Sequence, residues 1–288
     1  MKCASEKWKE VFVLNKLSFE ALDGSRRSDS EIPIIIAKNV LKYPEQVREF
    51  LENGYWWNNG GGDEECARPG KSFDFGPNID MYFNPLGDQL REFYDVEEVL
   101  PIEIYGNCLN GNMDLYTVMS YVPHVDTFPG DDQNENPLND AAFNINLTKS
   151  DKVKTAFYSF NDKMSICEFT KKDYDDLRTI NDKHHSMKAE QWKELEDVYE
   201  NYKLEYVADI EYNSMILYPS HYWHNAYIKE NWFLIDDEYD NYKLEYIADI
   251  EYNSMILYPS HNWHNSYIKQ DWFNDEDRIT FTGVFEIV

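Results

Sequence analysis

Short runs of β-branched and aromatic residues dominate the chain from about Ile102 to its C-terminus. Clusters of Gly, Asn, Asp and Pro separate them, which is the pattern of strands joined by turns. A longer charged segment with spaced Leu and Trp residues interrupts the strands and predicts a solvent-facing helix that lies across a sheet. Residues 101–288 are therefore predicted to form a mainly β domain with flanking helices. The strand-like runs are EIYGNCLN, MDLYTVMSYV, AAFNINLT, VKTAFYSF and KLEYVADIEYNSMILYP.

The first hundred residues have a mixed pattern. EIPIIIAKNV predicts a buried strand, and YPEQVREFLENG predicts a helix with Pro44 in its first turn and Gly54 after its end. PLGDQLREFYDVEEVL predicts a second helix, and the Gly- and Asn-rich stretch NNGGGDEECARPGKSFDFGPN between the two predicts a loop. Residues 1–100 are expected to form an α/β flank that packs on the β domain.

A segment near the C-terminus occurs twice. Residues 201–233 and 241–273 differ at five positions only, so a tandem duplication spans about 197–236 and 237–273. Two copies are too few for a solenoid, which needs about three stacked repeats. One copy should complete the fold, while the other is accommodated as an insertion, an extra hairpin or a swapped element, and swapping would favour a homodimer. The differing pairs are Val207/Ile247, Tyr222/Asn262, Ala226/Ser266, Glu230/Gln270 and Asn231/Asp271.

Charge and composition narrow the class of partner. The chain has 54 acidic and 27 basic residues, a net charge of −27, which opposes binding to nucleic acid and to anionic membranes. No signal segment and no apolar run of about 20 residues is present, and the four cysteines are scattered. We expect a soluble cytoplasmic protein with reduced, buried thiols.

The first candidate metal ligands lie in YVPHVDTF, where His124 and Asp126 share one face of a strand-like stretch. An isolated pair of this kind is usually a surface feature beside a turn. A third candidate ligand follows the YPS strand end in each repeat, at His224 or His264. Two histidines and one carboxylate leave three coordination positions for other ligands, the arrangement of non-haem Fe(II) oxygenases. The neighbouring His221 and its counterpart in the second copy are interpreted as turn or surface residues.

The residues after each repeat favour one copy. Fourteen residues past His264 lies Arg278, with Thr280 on the same strand face, whereas the equivalent position after His224 is Glu238. An arginine fork binds a carboxylate bidentately, and an acidic side chain would repel it. His264 is therefore the predicted third ligand, and His224 is the alternative.

These ordered motifs resemble the Fe(II)- and 2-oxoglutarate-dependent oxygenases, in particular the small prolyl-hydroxylase-like group of phage and bacterial genomes. The resemblance covers about Ile102 to Val288 and includes FNINLTKSDKVKTAFYSF as a pair of core strands. It implies a double-stranded β-helix, a cupin-like jelly roll, in which His124, Asp126 and His264 hold Fe(II). Arg278 would pair with the distal carboxylate of 2-oxoglutarate, supported by Thr280.

Further cosubstrate contacts are weaker candidates, because aromatic residues on strands are mostly core or sheet surface. They are Tyr116, Tyr121 and Asn144.

The resemblance implies hydroxylation of a peptide, an amino acid or another small molecule, coupled to conversion of 2-oxoglutarate to succinate and CO2. DNA-dealkylating relatives carry a second arginine six residues after the first, where this chain has Val284. Nucleic acid is therefore not the expected substrate. Two alternatives stay open: a non-catalytic jelly-roll module that binds or supports other molecules, and an enzyme that the duplication has inactivated.

Overall fold

A computed structural model describes residues 9–21, 33–52, 57–58, 70–74, 79–109, 123–126, 139–149, 154–184, 202–226, 247–248, 264–267 and 278–288. Helices within these ranges are α1 (Pro44–Glu52), α2 (Ile79–Tyr94), α3 (Lys171–His184) and the 3₁₀ turn Ile166–Glu168. The strands are β1 Phe19–Ala21, β2 Ile35–Ala37, β3 Trp57–Asn58, β4 Gly70–Asp74, β5 Val99–Leu109, β6 Asp140–Asn146, β7 Lys154–Phe160, β8 Tyr202–Asp209, β9 Ser214–Pro219, β10 His224–Ala226, β11 Ile247–Ala248, β12 His264–Tyr267 and β13 Arg278–Ile287.

The described strands form two sheets. The larger has the order β1-β2-β9-β6-β13-β5-β4-β3, and the smaller has the order β10-β12-β7-β8-β11. Pairing is antiparallel throughout the larger sheet, while β10/β12 and β8/β11 are parallel in the smaller one. The fold is mainly β, as the strand pattern predicts, and it is compatible with a β-sandwich. The N-terminal strands β1 to β4 extend both edges of the larger sheet.

Strand alternation gives the larger sheet two different faces. On β6, Phe143 and Ile145 point away from Asn144 because successive side chains alternate. Phe143 contacts Phe83 of α2 at 5.9 Å between ring centroids, so this apolar face is covered by the helical layer. The opposite face looks toward the smaller sheet, since Tyr218 of β9 contacts Phe157 of β7 at 6.1 Å. A polar inner face thus lies between the sheets.

Local predictions are confirmed for most of the elements that fall in the described ranges. The helix in YPEQVREFLENG is α1, and the predicted runs EIYGNCLN, AAFNINLT and VKTAFYSF overlap β5, β6 and β7. The second helix begins earlier than predicted, at Ile79, and includes Pro85 in its interior. The stretch predicted to be a loop contains β4, so that prediction is wrong there. The run MDLYTVMSYV, with Tyr116 and Tyr121, lies outside the described residues.

The two repeats enter the fold differently. The first copy supplies β8, β9 and β10, and β9 is buried along its whole length between β2 and β6. The second copy supplies β11 and β12, which lie beside β8 and β10. In the smaller sheet, β10 and β12 therefore lie on one side of β7, and β8 and β11 lie on its other side.

No helix among the described residues is long and apolar enough to cross a membrane. Cys108 is buried, as expected for a core thiol, whereas Cys167 is exposed and departs from that expectation.

Candidate metal centre

The segment Pro123–Asp126 is fixed by backbone hydrogen bonds to the first repeat copy. His124 and His224 exchange N–H···O bonds in both directions, and the Asp126 N–H donates to the Ser220 carbonyl at 2.7 Å. Val125 between the two is buried, at 6% exposure. Because alternate side chains of an extended segment point to opposite sides, the buried valine leaves His124 and Asp126 on the other side together. The expected shared face is confirmed.

His224 completes the group and is itself oriented by the backbone. Its Nδ1 lies 3.0 Å from the Tyr222 carbonyl oxygen, which can only accept a hydrogen bond, so Nδ1 carries the proton. Nε2 then faces Asp126 Oδ1 at 3.2 Å and the Tyr218 hydroxyl at 3.4 Å. His224 is only 4% exposed. A histidine held this way presents its second nitrogen to an ion, as metal-binding histidines do.

One ligand atom from each of His124, Asp126 and His224 lies within 4.8 Å of the others. The two imidazole rings are 4.0 Å apart between centroids. First-row metals bind nitrogen and oxygen at about 2.0–2.2 Å, so neighbouring ligand atoms need to be about 3 Å apart, which small side-chain rotations would achieve here. The donor set of two imidazoles and one carboxylate fits Fe(II) chemically.

Electrostatics also point to a cation. If Nε2 of His224 is unprotonated, its lone pair faces a carboxylate oxygen, and the two atoms repel unless a positive charge lies between them. A metal ion supplies that charge, and so does a proton on Nε2, which would make an ion pair between the buried His224 and the more exposed Asp126. The geometry is compatible with both, and metal binding distinguishes them.

The structure describes the backbones of His264 and Arg278 and not their side chains. His264 lies on β12 beside His224, its register partner, and Arg278 begins β13 opposite Leu109. The structure thus groups the alternative, His224, with the HxD pair, while the assignment to His264 stays a prediction. Thr280 is buried, at 1% exposure, two residues along β13 from Arg278.

A row of polar side chains lines the inner face next to this centre. The Ser72 hydroxyl donates to Asn107 Oδ1 at 3.0 Å, and Asn107 Nδ2 donates to the Thr282 hydroxyl at 2.7 Å. Asn144 lies opposite Thr282, is 8% exposed, and its Oδ1 has no hydrogen bond within the part of the chain that is described. Buried polar atoms are rarely left unsatisfied, so a partner is expected at Asn144 Oδ1, namely a residue outside the described ranges, a ligand or a water.

The row is close to the centre along the sheet. Asn144 pairs with Ile216 of β9, and Tyr218, two residues further along the same face, contacts His224. Asn144 is a predicted cosubstrate contact, whereas sequence reasoning missed Ser72, Asn107 and Thr282. In the sequence, the alternation of polar and apolar residues in NCLN and RITFT is the feature that could have predicted a polar face on these two strands.

Asp140 is a buried acid that sequence reasoning also missed. It is 1% exposed, and burial, together with the negative charge of Glu286, raises its pKa to about 7. The backbone carbonyl of Asp140 accepts a hydrogen bond from the Ser220 N–H at 2.9 Å, and the Ser220 carbonyl accepts one from the Asp126 N–H. Asp140 is therefore linked through one residue to the metal centre.

His221 lies in the turn after β9, as predicted, but it is buried at 1% exposure, so the surface interpretation is wrong. The backbone carbonyl of His221 accepts a hydrogen bond from the Ile166 N–H at 3.2 Å, which connects the turn to the 3₁₀ segment. This contact helps to fix the turn that presents His224.

Comparison with protein-family models, with curated proteins and with solved structures gave no match.

Proposed function

We propose that this protein is an Fe(II)- and 2-oxoglutarate-dependent oxygenase that hydroxylates a peptide, an amino acid or another small molecule. The observation that carries the proposal is the convergence of His124, Asp126 and His224 at one point. The HxD pair and His224 lie far apart in the sequence, and an antiparallel backbone bridge between His124 and His224 brings them together.

The chain's own residues would prepare and hold the metal. His124 and His224 contribute neutral imidazoles, and Asp126 contributes the carboxylate. The Tyr222 carbonyl fixes the tautomer and the ring orientation of His224. Bound there, Fe(II) would supply the activation of dioxygen that 2-oxoglutarate oxidation requires.

The polar inner face is the proposed place of the cosubstrate. Thr280 and Asn144 are buried, and Arg278 occupies the position two residues before Thr280 on β13. A guanidinium there would bind the distal carboxylate of 2-oxoglutarate, while Asn144 Oδ1 marks a polar position that needs a partner. We further propose that the two sheets form the jelly roll of this superfamily.

The separation of His224 and Arg278 in sequence does not oppose this assignment. β13 is held by β5 on one side and by β6 on the other over most of its length. An inserted repeat between His224 and Arg278 lengthens the connection but leaves the position of β13 unchanged. His224 and Arg278 can therefore serve one site, although Glu238 stands fourteen residues after His224 in the sequence.

The experiment is an anaerobic titration of the protein with Fe(II) and 2-oxoglutarate, followed by the visible metal-to-ligand charge-transfer band. The wild type should develop the band, and Asp126→Ala should lose it. Asp88→Ala is the matched control, because Asp88 is a 70% exposed carboxylate on α2 and should leave the band unchanged. Absence of the band in the wild type, or its survival in Asp126→Ala, contradicts the proposal.

A second variant tests the cosubstrate assignment separately. Arg278→Met should keep Fe(II) binding and weaken 2-oxoglutarate binding by about 10²-fold or more, because a charge-assisted bidentate contact is lost. Unchanged 2-oxoglutarate affinity in Arg278→Met would remove this arginine from the site.

The non-catalytic jelly-roll module is the competing function. It is favoured by the interpretation of His224 and Asp126 as an ion pair that holds the segment 123–126 in place. In that case Asp126→Ala would lower the free energy of unfolding, and the wild type would show no metal-dependent band.

A further inference from the structure

The two repeat copies lie side by side in matched register. Val207 pairs with Ile247 and Ala208 with Ala248 in the β8/β11 ladder, and His224 pairs with His264 and Asn225 with Asn265 in the β10/β12 ladder. Each register partner is the residue's own counterpart in the other copy. Parallel alignment of equivalent residues means that both copies run in the same direction at the same level of the sheet.

Both copies also meet the same edge of β7. Thr155 is the register partner of Ala226 on β10 and of Ser266 on β12. The other edge of β7 is occupied by β8, where Thr155 faces Ala208. A strand has one set of backbone N–H and C=O groups on each edge. The edge of β7 can therefore form a complete hydrogen-bond ladder with β10 or with β12, but not with both.

We propose that the two copies exchange in one structural position, so that the chain has two alternative third ligands, His224 and His264, for the same metal centre. The metal part of this inference rests on the proposed function, and the exchange itself does not. When the first copy occupies the position, the second is an insertion before β13. When the second copy occupies it, the first becomes an insertion before the second.

The chain topology makes both forms feasible. Either insertion adds about forty residues to a connection, and loop closure entropy changes slowly with length, so the cost of the two insertions is similar. The residues on both sides of the exchanged segment, α3 before it and β13 after it, stay in place. The balance between the forms is then set by the five positions at which the copies differ.

One of those five positions favours the first copy strongly. Tyr222 is fully buried, and its N–H donates to the Pro219 carbonyl at 3.1 Å in the turn that presents His224. The second copy has Asn262 there, a smaller and more polar side chain. A large-to-small substitution in a core costs about 3 kcal/mol or more, so we expect the form that uses His264 to be a minor state, populated at about 1% or less.

Cysteine pairs test the exchange without any metal. Cross-strand Cα atoms in an antiparallel pair are about 4.5–5.5 Å apart, which suits a disulfide. Ala37 on β2 is the register partner of Met215 in the first copy, and the equivalent residue of the second copy is Met255. Ala37→Cys combined with Met215→Cys and, in a second protein, with Met255→Cys should both form intramolecular disulfides, with Ala37→Cys alone as the control. Peptide mapping distinguishes the bridges, because the two copies differ at Tyr222 and Asn262. A bridge only to position 215, or an intermolecular bridge at position 255, overturns the proposal.

Metal titration tests the second ligand set. His224→Ala should bind Fe(II) about 100-fold more weakly than the wild type, since affinity scales with the fraction of the competent form. In the His224→Ala protein, the additional substitution Asn262→Tyr should raise the Fe(II) affinity at least about tenfold. The additional substitution His264→Ala should instead abolish Fe(II) binding. Failure of Asn262→Tyr to restore binding overturns the exchange while the proposed function stands. Absence of metal binding in the wild type contradicts the proposed function, and the disulfide result still decides the exchange.

Discussion

Tyr222→Asn is the substitution that separates the two repeat copies most sharply, because it gives the first copy the residue of the second. Tyr222 is completely buried and is among the largest fully buried side chains in the described structure. Its ring meets that of His221 edge-on at 5.3 Å. If the first copy fills the core, the substitution removes a large buried ring and places an amide in its position.

We expect the free energy of unfolding to fall by about 3–4 kcal/mol, which is within the range measured when large aromatic side chains in cores are truncated. The asparagine side chain fills part of the volume that the tyrosine ring leaves. With an unfolding entropy of about 2.1 cal/mol/K per residue, that corresponds to a decrease of about 5–7 °C in Tm for a chain of 288 residues. Urea unfolding followed by tryptophan fluorescence, with Tm measured alongside, provides both quantities.

The matched control is Asn262→Tyr, which alters the equivalent residue of the second copy. We expect it to change the free energy of unfolding by less than about 0.5 kcal/mol, because at most it makes two forms equally populated. A loss below about 1 kcal/mol in Tyr222→Asn, or an equal effect of the two substitutions, would refute the assignment of the first copy to the core.

Two further substitutions test other parts of the fold. Asp140→Asn should stabilise the protein at pH 8 by about 1–3 kcal/mol and leave it unchanged at pH 4, measured by urea unfolding. The sign follows from the raised pKa of about 7: the folded state keeps its proton above the unfolded pKa, so stability falls as pH rises from about 4 to 7, and the asparagine removes that loss. An equal effect at both pH values would contradict the burial of Asp140. Gly283→Ala should cost about 1–3 kcal/mol, since an added Cβ would lie 2.6 Å from Ile104 Cγ1 in the β5/β13 ladder. A neutral result in thermal unfolding would contradict that close approach.

Much of the fold follows from local sequence pattern. The alternation in AAFNIN predicts a strand with one apolar and one polar face, and β6 has this arrangement. The start of α2 is not predicted because Pro85 suggests a first helical turn, whereas Tyr82 and Phe83 before it are buried and extend the helix. β4 is not predicted because its Gly-rich surroundings resemble a loop, and its strand form depends on pairing with β5.

The candidate site is predictable in its residue types and not in its choice of copy. His124 and Asp126 share a face because of strand alternation, which is local. The two repeats have the same local propensities, so His224 and His264 cannot be distinguished by pattern. The preference for His224 arises from tertiary contacts, namely the backbone pairing with His124 and the burial of the adjacent Tyr222. Asp140 is not predictable either, since its burial depends on strands distant in sequence.

The central claim is that His124, Asp126 and a repeat histidine hold one divalent metal ion. The most direct test is calorimetric titration with Mn(II), a redox-stable substitute for Fe(II) that accepts the same nitrogen and oxygen ligands. We predict one site per chain in the wild type and a loss of affinity of about 100-fold or more in Asp126→Ala, with Asp88→Ala unchanged. Absence of a Mn(II) site in the wild type, or equal affinity in wild type and Asp126→Ala, would contradict the claim.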